Sequence, residues 1–179
     1  NIVIKSKTEK YAFAYNAEEE KVLVNEQSNT IFRCDGFRTE VPFVEFYDEQ
    51  SAVTDLSVFI EGKKAKYLKP SFEYYSVDNI FYSDARVCYV KIPLEKKGAE
   101  TEVQVNKTIN DPRYFTTIYF PEAYKIEHKQ IAIDIPAWMH IDIKEMNFEG
   151  CRIEKQVQKK EHITTYIYNI QQMDARKNE

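Results

Sequence analysis

Apolar and polar residues alternate along most of the chain, and the alternation is clearest between Ala99 and Glu145. Val103, Val105 and Ile109 alternate with Glu102, Gln104, Asn106 and Thr108. Ile131, Ile133 and Ile135 alternate with Gln130, Ala132 and Asp134. After Pro136, Met139, Ile141 and Ile143 alternate with His140, Asp142 and Lys144. Successive side chains of a strand point to opposite faces, so each run predicts a strand with one buried and one wet face. The β-branched residues on the apolar face suit a pleated surface. Ile131, Ile133, Ile135, Ile141 and Ile143 are therefore expected to be largely buried. Asn110-Asp111-Pro112-Arg113 reads as a turn, followed by the aromatic run Tyr114 to Phe120.

The same period runs through the rest. Tyr11, Phe13 and Tyr15 alternate with alanines, and Glu18-Glu19-Glu20 reads as a solvated turn before Val22 and Val24. Thr30 to Cys34 is a short strand, and Asp35-Gly36 after it is a hairpin signal. Val41 to Tyr47 is apolar on both faces except at Glu45, as expected of a central strand, with Pro42 near its start. Asp55 to Ile60 and Val87 to Ile92 are further strands, and Arg152–Gln158 with His162–Ile170 form a last hairpin. Gly36, Gly62, Gly98 and Gly150 all fall between predicted strands. This punctuation predicts an all-β, two-sheet antiparallel sandwich spanning residues 1–170, with a polar tail or linker at 171–179.

Composition narrows the picture. One large domain fits 179 residues. A formal charge of −4 gives no reason to expect nucleic-acid binding, and no apolar run reaches the length of a membrane span. The lysines at 63, 64, 66 and 69 around Tyr67 read as protection of a strand edge rather than a nucleic-acid patch. The chain starts at Asn1 with no initiator Met and no signal peptide, as a mature or trimmed chain would.

No catalytic constellation stands out. Cys34, Cys88 and Cys151 are too few and too separated for a disulfide framework or a zinc site, which leaves one bridge or three reduced thiols. His128, His140 and His162 lack metal-ligand spacing. Cys151, with His140 or His162 as base, is the best nucleophile candidate, but it opens no helix that would lower its pKa. A hydrolase with an unrecognised site is one alternative reading. No cofactor is expected.

From Asp84 to Glu179 the chain resembles the N-terminal domain of unknown function that precedes transglutaminase-like domains in secreted or periplasmic bacterial proteins. The resemblance rests on Arg86-Val87-Cys88-Tyr89-Val90-Lys91-Ile92-Pro93 through Gly98, then Glu102-Val103-Gln104-Val105. It continues through Tyr114-Phe115 to Phe120-Pro121, Ile131-Ala132-Ile133-Asp134-Ile135-Pro136, and Thr165-Tyr166-Ile167-Tyr168-Asn169. It implies an immunoglobulin-like sandwich, an extracytoplasmic location and a downstream transglutaminase-like domain as partner. The Cys-His-Asp machinery of that catalytic domain has no counterpart motif here, so the resemblance implies a noncatalytic accessory module.

The stretch Pro70 to Asp84 reads as an irregular loop rich in aromatic residues. Phe72, Tyr74, Tyr75, Phe81 and Tyr82 form its candidate interaction surface, for another domain or a protein ligand. The rival reading is a carbohydrate-binding sandwich with Tyr74, Tyr75, Tyr82 or Trp138 as stacking platform. For Trp138 a core position is the expectation, since tryptophan is highly buried on average.

Overall fold

A computed structural model of the chain describes residues 1–77, 80–115, 117–145 and 152–176, with the backbone alone at 77 and 80–83. The described residues form eleven strands and one 3-10 turn, with no α-helix. The strands are β1 (Ile2–Asn16), β2 (Lys21–Cys34), β3 (Thr39–Tyr47), β4 (Ser51–Ile60), β5 (Lys63–Lys64) and β6 (Ser71–Val77). They continue with β7 (Ile80–Leu94), β8 (Glu100–Ile109), β9 (Lys125–Pro136), β10 (Arg152–Lys159) and β11 (Ile163–Met173).

Eight strands make one sheet in the order β10-β11-β9-β1-β2-β8-β4-β5, and β3-β7-β6 make a second. β1 is the hub of the large sheet. Its hairpin with β2 closes over Glu18–Glu20, where the Asn16 side chain accepts hydrogen bonds from the Glu18 and Glu19 N–H groups. On its other side β1 runs parallel to β9, with Tyr11 beside Ile133. Every other pairing is antiparallel. Parallel neighbours need a long crossover, and here it includes the whole second sheet.

The core lies between the two sheets. From the large sheet come Val24, Val103, Ile126, Ile131 and Ile170, and from the small one Val41, Cys88, Ile92 and Leu94, all inaccessible to solvent. The chain passes from β7 to β8 through a turn at Gly98, whose φ of +82° would strain any side-chain-bearing residue. The lysine pair of β5 is a two-residue edge strand, as the edge-protection reading requires.

Several expectations need correction. The stretch read as an irregular loop is a hairpin, β6 turning into β7. β3 is an edge strand rather than a central one, and exposed Pro42 lies on it, the kind of strand in which a missing donor is tolerated. Asp35-Gly36 closes no hairpin but carries the chain from the large sheet to the small. Ile131, Ile133 and Ile135 are buried, whereas Ile141 and Ile143 are half-buried in irregular chain packed on the core. Trp138 sits on the turn after β9 and is 57% exposed, so it is not core. β11 extends to Met173, and Arg176 donates to the carbonyl of Pro121, tying down part of the expected tail. The division into eight and three strands, with one parallel pair, differs from the four and three of an immunoglobulin constant domain. Two sheets in an all-β sandwich-like fold is the description that holds.

Candidate functional site

Two regions stand apart from the apolar core. The first is a band of charge on the inner face of the large sheet. Register sets it out: Lys7 lies beside Lys129, Tyr11 faces Glu26, and Glu26 faces Lys107. Lys129 has no solvent exposure. Its ammonium donates to Glu122 at 2.7 Å and to the carbonyls of Tyr119 and Phe120 at 3.1 Å each, and lies 3.3 Å from Glu9. Lys7 contacts the same two carboxylates, at 2.7 and 3.3 Å. The Tyr11 hydroxyl donates to Glu9 at 2.7 Å. Lys107 donates to the Phe46 carbonyl at 2.7 Å and lies 3.5 Å from Glu45. The Lys7 and Lys129 contacts hold residues 119–122 across the sheet, and Phe115, Ile118 and Phe120 pack against the core.

A cavity of ≈ 520 Å³ opens over this band, lined by Tyr11, Glu26, Glu45, Lys107 and the segment that includes Phe115 and Tyr119. Its electrostatics follow from burial. Burial pushes the Glu26 carboxyl up to about 7, and the Glu45 charge adds to this against the pull of Lys107. Burial likewise raises Glu45, outweighing Lys107. For Glu122 burial acts upward, but Lys7 and Lys129 overcome it and hold the carboxyl below its ordinary value. For Lys7 burial acts downward, and the charges of Glu9 and Glu122 overcome it. Three ammonium groups, Lys7, Lys107 and Lys129, face four carboxylates, Glu9, Glu26, Glu45 and Glu122. A proton on Glu26 restores neutrality. Most of these groups satisfy one another, so the band is a device that pins a segment to a sheet.

This band was missed by reading apolar alternation alone, yet a signal for it exists. Counting back by two from Ile131 lands on Lys129, and from Tyr11 on Glu9 and Lys7. Counting forward by two from Val24 lands on Glu26. Each charge continues the inward face of its strand.

The second region is the far end of the small sheet. Tyr47 of β3, Arg86 of β7 and Tyr74 of β6 are in register, and the row beneath is Glu45, Cys88 and Phe72. The Arg86 guanidinium lies 5.3 Å from the Tyr74 ring centroid and 6.0 Å from that of Tyr47. Phe72 packs edge-on against Tyr47. Phe72 is 55% and Tyr74 60% exposed, while Tyr75 is half-buried against Phe46. The side chains of Phe81 and Tyr82 lie outside the described residues.

The remaining candidates do not converge on a site. Cys34 and Cys88 are buried free thiols, and burial pushes Cys88 up to about 11. Cys151 lies outside the described residues. His140 and His162 are exposed, and His162 sits in the β10–β11 turn beside Glu161. Among the described residues no group of His, Cys, Asp or Glu is placed to hold a metal ion, and no helix is long and apolar enough to cross a membrane.

Comparison with curated proteins finds no match. Among solved structures the chain is similar to a candidate protease from Parabacteroides distasonis, with a TM-score of 0.60 at 8% identity over 99% of this chain. It is also similar to a candidate nutrient-binding protein from Legionella pneumophila, with a TM-score of 0.51 at 10% identity over 97% of this chain. The chain spans 37% of the first protein and 64% of the second. At such identities the likeness concerns the fold alone. In sequence, residues 61–177 match the profile of the domain of unknown function with solved structure, DUF3857, and the chain belongs to that family.

Proposed function

We propose that the chain is a noncatalytic accessory and interaction module of a larger cell-envelope protein with a transglutaminase-like domain, and that the end of the small sheet is its docking face. The observation that carries this reading is the exposure of Phe72 and Tyr74 on an ordered strand. A folded domain gains nothing by showing two aromatic rings to water, whereas a domain interface covers such rings. Each ring offers roughly 100 Å² of exposed area, so covering both contributes up to about 5 kcal/mol at roughly 25 cal/mol per Å². The charged band fits the same reading, because most of its groups are engaged with one another.

The test is amide hydrogen exchange in the isolated chain and in the longer polypeptide. Exchange across β6 and the adjoining part of β7 is expected to slow in the longer protein. Unchanged exchange there would overturn the docking face. Peptide, amide and glycoside substrates are expected to give no turnover above blank. Turnover abolished by Cys151→Ala would replace the accessory reading with a hydrolase.

Exposed Trp138 favours one second reading, a carbohydrate-binding surface. Saturable quenching of Trp138 fluorescence by a defined glycan would support it.

A further inference from the structure

The cavity over the charged band holds one carboxylate that the band leaves unmatched. Glu26 stands on the inner face of β2, opposite Tyr11 of β1 and Lys107 of β8. The neighbours that would satisfy it are engaged elsewhere. Lys107 donates to the Phe46 carbonyl at 2.7 Å and lies 3.5 Å from Glu45. Lys7 contacts Glu9 and Glu122, and the Tyr11 hydroxyl donates to Glu9. Arg176, which also lines the cavity, donates to the Pro121 carbonyl and lies over the Tyr119 ring. Among the described residues the Glu26 carboxylate accepts no hydrogen bond and forms no ion pair, and its oxygens keep solvent-accessible surface in the cavity.

The cavity has the size and lining of a small-molecule site. Its volume of ≈ 520 Å³ falls within the roughly 300–1,000 Å³ usual for one. Tyr114, Phe115 and Tyr119 bring aromatic surface to it, and Glu26 and Glu45 bring negative charge. A bare carboxylate at Glu26 is costly, because burial removes part of its water and the Glu45 charge repels it. A proton removes that cost, and so does a bound cation. A metal ion lacks the donors: among the described residues no three His, Cys, Asp or Glu side chains are placed to hold one. An ammonium group carries its own donors and is satisfied by one or two acceptors, and aromatic rings favour it further.

We propose that this cavity binds a primary alkylammonium group, with its nitrogen on the Glu26 carboxylate and its apolar stem against the aromatic surface of Phe115 and Tyr119. The ammonium takes the place of the proton on Glu26, so no other pair of the band has to break. A free amine and a lysine side chain present the same chemistry to the site. The proposal goes beyond the accessory-module reading and is independent of the docking face on the small sheet, so failure of either one leaves the other standing.

The test titrates the ¹⁵N-labelled chain at pH 8 with n-butylammonium, n-butanol and butyrate, which share a stem and differ in charge. Amide shifts around Glu26 in β2 and Lys107 in β8 are expected to saturate with butylammonium at least about ten-fold more tightly than with butanol, and not at all with butyrate. Glu26→Gln, which keeps the shape of the protonated acid, is expected to bring butylammonium down to the butanol level. Glu26→Asp keeps the charge but withdraws it by one methylene, and is expected to fall between the two. It also keeps the test decisive if Glu26→Gln unfolds. Equal binding of amine and alcohol, butylammonium binding unchanged in both variants, shifts centred away from Glu26, or no saturable shift would overturn the proposal. A lysine blocked at both ends distinguishes the sources: tighter binding than butylammonium supports the site with a polypeptide side chain as ligand, and weaker binding supports it with a free amine.

Discussion

Lys129→Met tests whether the charged band pins residues 119–122 to the sheet. Methionine keeps the unbranched stem and removes the ammonium, so packing changes little. The loss comprises the 2.7 Å pair to Glu122, the 3.3 Å contact with Glu9, and donation to the Tyr119 and Phe120 carbonyls. Breaking one partner of a buried ion pair typically costs about 3–5 kcal/mol. Lys7 still faces both carboxylates and Tyr11 still donates to Glu9, which places the cost near the lower end, about 3 kcal/mol. That is a large share of a domain stability of roughly 5–15 kcal/mol. For a chain of this size it corresponds to a fall in Tm of roughly 6–12 °C. Urea unfolding of wild type, Lys129→Met, Glu122→Gln and the double variant measures it. The double variant is expected to lose less than the sum of the singles, because the carboxylate stranded by the first change is neutralised by the second. Hydrogen exchange over 117–122 is expected to accelerate in Lys129→Met. A cost below about 1 kcal/mol, or strict additivity, would show that the band does not act as a unit and refute the pinning argument.

Three further outcomes follow from the same structure. Glu26 binds its proton more tightly in the fold, at about 7 against an ordinary 4.5, so stability is expected to fall as pH rises between those values, by at most about 1.4 kcal/mol per pH unit. Glu45, Lys107, Glu9 and Lys7 face Glu26, and Glu26→Gln, which mimics the protonated acid, is expected to flatten the urea midpoint across that range and to exceed wild type at pH 8. Cys88, buried and with its thiol held near 11, is expected to resist iodoacetamide at pH 8 in the native chain and to react on unfolding, as intact-mass measurement would reveal. Trp138, exposed on its turn, is expected to show red-shifted emission and near-free acrylamide quenching; blue-shifted, protected emission would contradict its position.

Strand identity was legible in the sequence because it depends on a local period. Alternation at Val103–Ile109 and Ile131–Ile135 becomes β8 and β9, and the last hairpin becomes β10 and β11. The same period, carried two residues past the apolar run, points to Lys129, Glu9, Lys7 and Glu26 on inward faces. The apolar residues at Ile141 and Ile143 also alternate, but the local period does not supply a partner strand, and the segment stays irregular.

An all-β chain and the faces its strands present can be read from the amino acids alone, since pleat and side-chain direction are properties of each strand. Which strands are neighbours is set by how the folded chain packs. The parallel pairing of β1 with β9 joins residues more than a hundred positions apart, and no local pattern encodes it. Sheet membership made β3 an edge, turned Asp35-Gly36 into a crossing between sheets and left β6 open. Whether an inward charge is paid for also belongs to that level: Lys129 is tolerated because Glu9, Glu122 and two carbonyls converge on it from separate segments, and Arg86 lacks such an acceptor among the described residues. Hydrogen bonding and ion pairing act over a few ångströms in space, and distance along the chain does not report them.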